Sequence, residues 1–189
     1  MAAPQPAPAN RRYCLGVDPG LAATGYALLD GEKPLAWGVW RCGPDQGSEE
    51  ERRAEYCARL RELLASLAVP LEAVTVALEK QFVATGRPGP GAQRRAQAAL
   101  GLALLRWALE QAAREAGVHV VHISPQAAKR ALVGHGGAEK RAMLQMARLR
   151  LGLTLQAQEE HIADAAGLAL AAQAQARADA VRQGELPCR

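Results

Sequence analysis

Chemistry first suggests itself at Asp18, which closes the short apolar run Tyr13-Cys14-Leu15-Gly16-Val17 and is followed by Pro19-Gly20 and then Thr24-Gly25-Tyr26. A residue before proline is pushed toward extended backbone, so Asp18 is expected at a strand end, with Gly20 and Gly25 permitting a tight turn into the next strand. An Asp-Pro-Gly surface turn explains that stretch equally well when it is taken alone. A second carboxylate, Glu79, ends the apolar run Val74-Thr75-Val76-Ala77-Leu78. Near the end of the chain, His161 and Asp164 are three residues apart, so a helix presents both on one face, and Asp164 shares its stripe with Leu168 and Ala171. Alone, His161 reads as an ordinary surface or core histidine, and Glu159 and Glu160 as solvated first-turn acids. Two carboxylates brought together without a cation repel, and one is forced to hold a proton; a divalent metal such as Mg²⁺, which favours oxygen ligands and phosphate oxygens, removes the conflict.

Whether these groups meet depends on the elements that carry them. Tyr13 to Asp18, Gly25 to Leu29 and Leu35 to Trp40 read as three strands of an antiparallel meander, with turn signals at Pro19-Gly20 and Asp30-Gly31. Ser48 is placed to N-cap a helix running to Leu67, ahead of Pro70. Val74 to Leu78 and Val118 to Ile123 read as strands buried on both faces. Between them lie a Gly/Pro loop, residues 83 to 91, and a long helix from about Ala92 to Ala116. Ser124-Pro125 opens a short helix, a further helix spans Ala138 to about Leu151, and the last runs from roughly Gln158 to Arg177. This order predicts an α/β fold, a mixed five-stranded sheet of order 3-2-1-4-5 flanked by helices, in which a right-handed crossover sets the fourth strand beside the first. Sites in such sheets form where the strand order reverses, and Asp18 and Glu79 end the two strands at that point.

The length predicts one domain, residues 12–177, between a disordered Ala/Pro tail (1–11) and a frayed C-terminal tail (178–189). No apolar run approaches the roughly 18 residues that span a bilayer, and the N-terminus has no secretion-signal pattern, so a cytoplasmic location is expected. Cys14, Cys42, Cys57 and Cys188 lack the short paired spacings of zinc or redox sites and read as packing residues. The net charge of +4 is unevenly spread: residues 80–150 hold twelve Lys or Arg against Glu110, Glu115 and Glu139. A basic segment on an otherwise acidic chain points to a polyanionic partner, most simply nucleic acid.

Taken in order, Gly16-Val17-Asp18-Pro19-Gly20 with Thr24-Gly25-Tyr26, Leu78-Glu79-Lys80-Gln81-Phe82, Val133-Gly134 with Ala138-Glu139-Lys140, and His161-Ile162-Ala163-Asp164-Ala165-Ala166 resemble the RuvC-type Holliday-junction resolvases, whose fold is ribonuclease-H-like. The resemblance covers about residues 12 to 172. It implies a homodimeric, metal-dependent endonuclease of recombination and repair that nicks two opposed strands of a four-way DNA junction. Asp18, Glu79, His161 and Asp164 match its catalytic metal ligands. Two Mg²⁺ or Mn²⁺ ions about 4 Å apart would then activate water and stabilise the leaving oxygen, with Asp18 bridging them. Where many members carry Asp, this chain has His161, and an imidazole should shift preference toward Mn²⁺. Phe82, the sole phenylalanine, reads by default as a core residue, while the resemblance matches it to an aromatic that stacks on a base near the junction centre; Lys129 and Lys140 match lysines near the scissile phosphate, and Lys80 and Arg87 extend that surface. The long helix, with Leu100, Leu104, Trp107 and Leu109, would supply a dimer face as in the family, though core packing explains those residues equally well, and a branch-migration complex is a further implied partner.

Other readings make different demands. ATPases of the actin and sugar-kinase type also begin with a strand, an acid and a glycine turn, but they close two such domains on nucleotide, and this chain has length for one. A ribonuclease-H-like nuclease acting on another DNA or RNA substrate needs the same four side chains. A non-catalytic junction-binding protein would not gather acids against a phosphate backbone.

Overall fold

The computed structural model describes residues 12–80 and 91–184. Phe82 and Arg87, like both termini and Cys188, lie outside the described residues. Among those described, five strands, β1 (Tyr13–Asp18), β2 (Ala23–Asp30), β3 (Lys33–Arg41), β4 (Val74–Glu79) and β5 (His119–Ile123), form one sheet in the order β3-β2-β1-β4-β5. β1 pairs antiparallel with β2 and parallel with β4, so the meander and the crossover both stand as expected.

The α-helices that cover this sheet are α1 (Glu49–Ser66), α2 (Ala92–Glu115), α3 (Pro125–Val133), α4 (Lys140–Leu151) and α5 (Glu160–Arg182). Ser48 starts α1 through a reciprocal cap in which its hydroxyl accepts from the Glu51 backbone N–H and its own N–H donates to the Glu51 carboxylate. Ser124 caps α3 through its hydroxyl ahead of Pro125, and Gly134, in the left-handed region at φ 100°, ends it. The last helix continues past Arg177 to Arg182, its final turn held by an Arg182–Asp179 ion pair and by Ala-rich sequence that favours helix.

One face of the sheet packs against α3, α4 and α5, with Cys14, Ala27, Ala77, Met143 and Ala165 in that core. The other packs against α1 and α2, around Leu15, Val17, Trp40, Tyr56, Leu60, Leu105 and Leu109. Leu109 therefore belongs to the core and not to an exposed face of α2; Leu100, Leu104 and Trp107 remain exposed. Cys14, Cys42 and Cys57 are buried free thiols, as packing residues should be, and burial pushes the Cys14 thiol up to about 12. Among the described residues, no helix is long and apolar enough to cross a membrane.

Candidate active site

Asp18 and Glu79 lie at the carboxyl ends of adjacent parallel strands, one step past the Val17–Leu78 pair in the register. That is the point where the sheet order reverses, and the first turn of α5 meets it. Asp18 is 8% exposed, a level of burial rare for a carboxylate without a partner. Its partner is His161: the ring Nδ1 lies 2.6 Å from Asp18 Oδ2 across 143 residues of sequence.

Two glycines make that approach possible. A Cβ on Gly16 would stand 1.8 Å from the Ala165 carbonyl oxygen, and one on Gly25 would stand 2.2 Å from the His161 carbonyl oxygen. Gly25 pairs with Asp18 across β1 and β2, so the space left by its missing side chain is where α5 sets His161 beside the carboxylate. Neither Gly20 nor Gly25 has a positive φ. The turn does not need them for backbone freedom, contrary to the expectation from sequence; the site needs Gly25 for room.

Charges inside the pocket shift one another. Burial, followed by repulsion from Asp18, pushes the Asp164 carboxyl up to about 6. Glu79 also titrates above its ordinary value, chiefly through burial and further through Asp18, while Arg106 and Lys129 oppose the rise. The His161 imidazole is raised by its hydrogen bond to Asp18, against the effect of burial. Asp164 is thus shifted by Asp18, His161 and Glu79, although the four come from three separate stretches of chain.

As they stand, no three or more His, Cys, Asp or Glu side chains among the described residues form a group that could hold a metal ion. Glu79 Oε1 lies 3.6 Å from Arg106, and Asp18 is bonded to His161, so both strand-end acids are engaged by the chain's own groups. The donor chemistry nevertheless suits a divalent cation: three crowded carboxylates, two of them with raised pKa, and one imidazole whose Nδ1 is already oriented by a carboxylate.

Of the basic residues, Lys129 stands half-buried on α3 and lowers Glu79 electrostatically, and Lys80 follows β4 at the same end of the sheet. Lys140 Nζ bonds Glu160 at 2.9 Å, is raised chiefly by that bond, and opposes the rise at Asp164. Glu160 is therefore an ion-pair partner, and Glu159 accepts the Gln156 backbone N–H, closing the turn before α5; neither is simply solvated. The residue that sequence reasoning missed is Arg106. Its signal was present: it is the only charged residue between Arg95 and Glu110.

The family model described as crossover junction endodeoxyribonuclease RuvC matches residues 14–172, which include all four candidate ligands. The chain belongs to the RuvC family. A curated RuvC from Thermomicrobium roseum is 33% identical over 167 residues, covering 87% of this chain and 94% of its own length. Another, from Chloroflexus aggregans, is 33% identical over 162 residues, covering 82% and 88%. The fold is similar to that of Thermus thermophilus RuvC in complex with Holliday junction substrate, with a TM-score of 0.71, 31% identity, and coverage of 89% of this chain and 96% of that one. Family membership makes the chain a nuclease with the ribonuclease-H-like fold, and divalent-metal dependence follows from the family.

Proposed function

We propose that this chain resolves four-way DNA junctions by nicking two opposed strands through metal-dependent phosphodiester hydrolysis. The observation that supports it most is the convergence of Asp18, Glu79, His161 and Asp164 on the switch point of the sheet, with the first turn of α5 seated on Gly25. A bound divalent ion supplies activation of the attacking water and charge stabilisation on the leaving oxygen. Asp18, Glu79, His161 and Asp164 would hold one or two such ions, Mg²⁺ or Mn²⁺. The His161 Nδ1 contact with Asp18 orients both side chains, and Nε2 would be the nitrogen free to hold an ion. Lys129 and Lys140, with Lys80 and Arg87, bind backbone phosphate, and Lys140 exchanges Glu160 for a phosphate oxygen when it does so. Phe82 stacks on a base at the junction centre.

Cutting two opposed strands requires two active sites, hence a homodimer. Leu100 and Trp107, 61% and 62% exposed on α2 together with Leu104, form an apolar stripe suited to such a contact. A branch-migration complex as partner and a cytoplasmic setting belong to the same reading.

The test is incubation with a labelled mobile junction, a linear duplex and an RNA/DNA hybrid in Mg²⁺ or Mn²⁺, beside Asp18→Asn. Paired symmetric nicks in the junction alone are expected, faster in Mn²⁺, with Asp18→Asn inactive and Phe82→Ala weakened without loss of folding. Cleavage of the hybrid would favour a ribonuclease-H-like enzyme of other specificity, and metal-independent binding without cutting would reject an enzyme.

A further inference from the structure

Arg106 is an unusual residue for its position. It sits on α2 beside the core residue Leu105, its side chain is only 15% exposed, and it is the single charge in the apolar span between Arg95 and Glu110. Its Nε is buried and has no hydrogen-bond partner among the described residues. Among those residues its ion pair is with Glu79 Oε1, at 3.6 Å. That separation is longer than the roughly 2.7–2.9 Å of a closed charge-assisted bond, so the guanidinium and the carboxylate attract without locking. A largely buried cation with a donor unspent therefore faces a carboxylate that ends β4 at the switch point of the sheet.

We propose that Arg106 is the resting counter-ion of Glu79, a positioning residue that holds the carboxylate on the α2 side of the pocket and that a divalent ion must outcompete in order to recruit it. The inference rests on the metal-dependent reading of the site given above. Both strand-end acids are then engaged before a metal is bound, Asp18 by His161 and Glu79 by Arg106. Arg106 then sets the metal concentration at which the site assembles.

The decisive measurement is a titration of Mn²⁺ or Mg²⁺ into the full chain at pH 8, read by thermal shift without DNA, for wild type, Arg106→Met, Arg106→Lys and each of these in a Glu79→Gln background. Arg106→Met is expected to melt lower than wild type in EDTA yet to reach half-maximal metal stabilisation at roughly tenfold lower metal. Arg106→Lys, which keeps the charge, is expected to titrate close to wild type. In the Glu79→Gln background, adding Arg106→Met should no longer change the metal demand. Equal or higher metal demand in Arg106→Met, or a difference that persists with Glu79→Gln, would overturn the assignment. A wild type that responds to metal and cuts the junction, beside an Arg106→Met that titrates identically, removes the Arg106 inference alone. A wild type that neither responds to metal nor cuts removes the parent reading and this one with it.

Discussion

The two faces of the sheet are packed on opposite plans. On the α5 face the helix is built of Ala163, Ala165, Ala166 and Ala169, and it lies against Gly16 and Gly25 with no room for a methyl group. On the α1/α2 face, Trp40, Tyr56, Leu60, Leu64, Leu105 and Leu109 fill the layer with large side chains, and Gly101 of α2 has nothing nearer than 3.4 Å to an added Cβ. Backbone-to-backbone contact tolerates no adjustment, whereas large side chains can shift rotamer. The α5 face therefore fixes where His161 and Asp164 stand, and the opposite face supplies adjustable side chains. Arg52 and Arg106, each with a buried Nε lacking a partner among the described residues, both belong to the adjustable face.

Gly16→Ala is the sharpest way to break this contrast. Its Cβ would lie within 1.8 Å of the Ala165 carbonyl oxygen, so α5 must move, with an expected loss of about 3 kcal/mol or more in denaturant unfolding and loss of metal-dependent cleavage. Retention of wild-type stability would show that α5 is as accommodating as α2.

A second, somewhat smaller effect is electrostatic and also belongs to the α5 face. Asp164 titrates at about 6 in the metal-free fold against an ordinary 3.8, so the native state holds its proton more tightly than the unfolded chain does. The stability this confers is complete below about pH 4 and is lost as pH rises through 6, a change on the order of 2–3 kcal/mol. His161, also raised, adds a loss of the same sign above pH 6.5. Metal-free unfolding followed from pH 4 to 8 should show this decline, and Asp164→Asn should flatten its lower half. With Asp164 as a proposed ligand, metal binding requires its ionised form, so metal-induced stabilisation should grow over the same range.

The smallest effect is expected at Gly101→Ala on α2. With ordinary contact distances around the added methyl group and a helical backbone, it should stabilise by about 0.5–1 kcal/mol, measured by the same unfolding, without altering cleavage. Destabilisation there, beside a tolerated Gly16→Ala, would reverse the contrast between the faces.

Much of this was legible in sequence because it depends on local pattern. Pro19 after Asp18, the uninterrupted run before Glu79 and the caps Ser48 and Ser124 are read from neighbours in the chain, and strand order followed from the succession of elements. The helical spacing of His161 and Asp164 placed them on one face without any knowledge of what that face meets. Gly25 read as a turn residue, since turn chemistry is a local signal and the close approach of a helix from the far end of the chain is not. Glu160 read as solvated for the same cause: its partner Lys140 stands twenty residues earlier, on another helix.

By itself, then, the amino-acid sequence determined the elements, the order of the sheet, the family and the four side chains proposed as metal ligands, because each is carried by spacing along the chain. Only the tertiary structure decided which opposite charge each group meets: Asp18 meets His161, Glu79 meets Arg106, and Lys140 meets Glu160. The physical reason is that a charge settles on whichever opposite charge the packing leaves within reach. That choice was made by two missing methyl groups, at Gly16 and Gly25, and by Arg106, the one charge in the apolar span of α2 between Arg95 and Glu110.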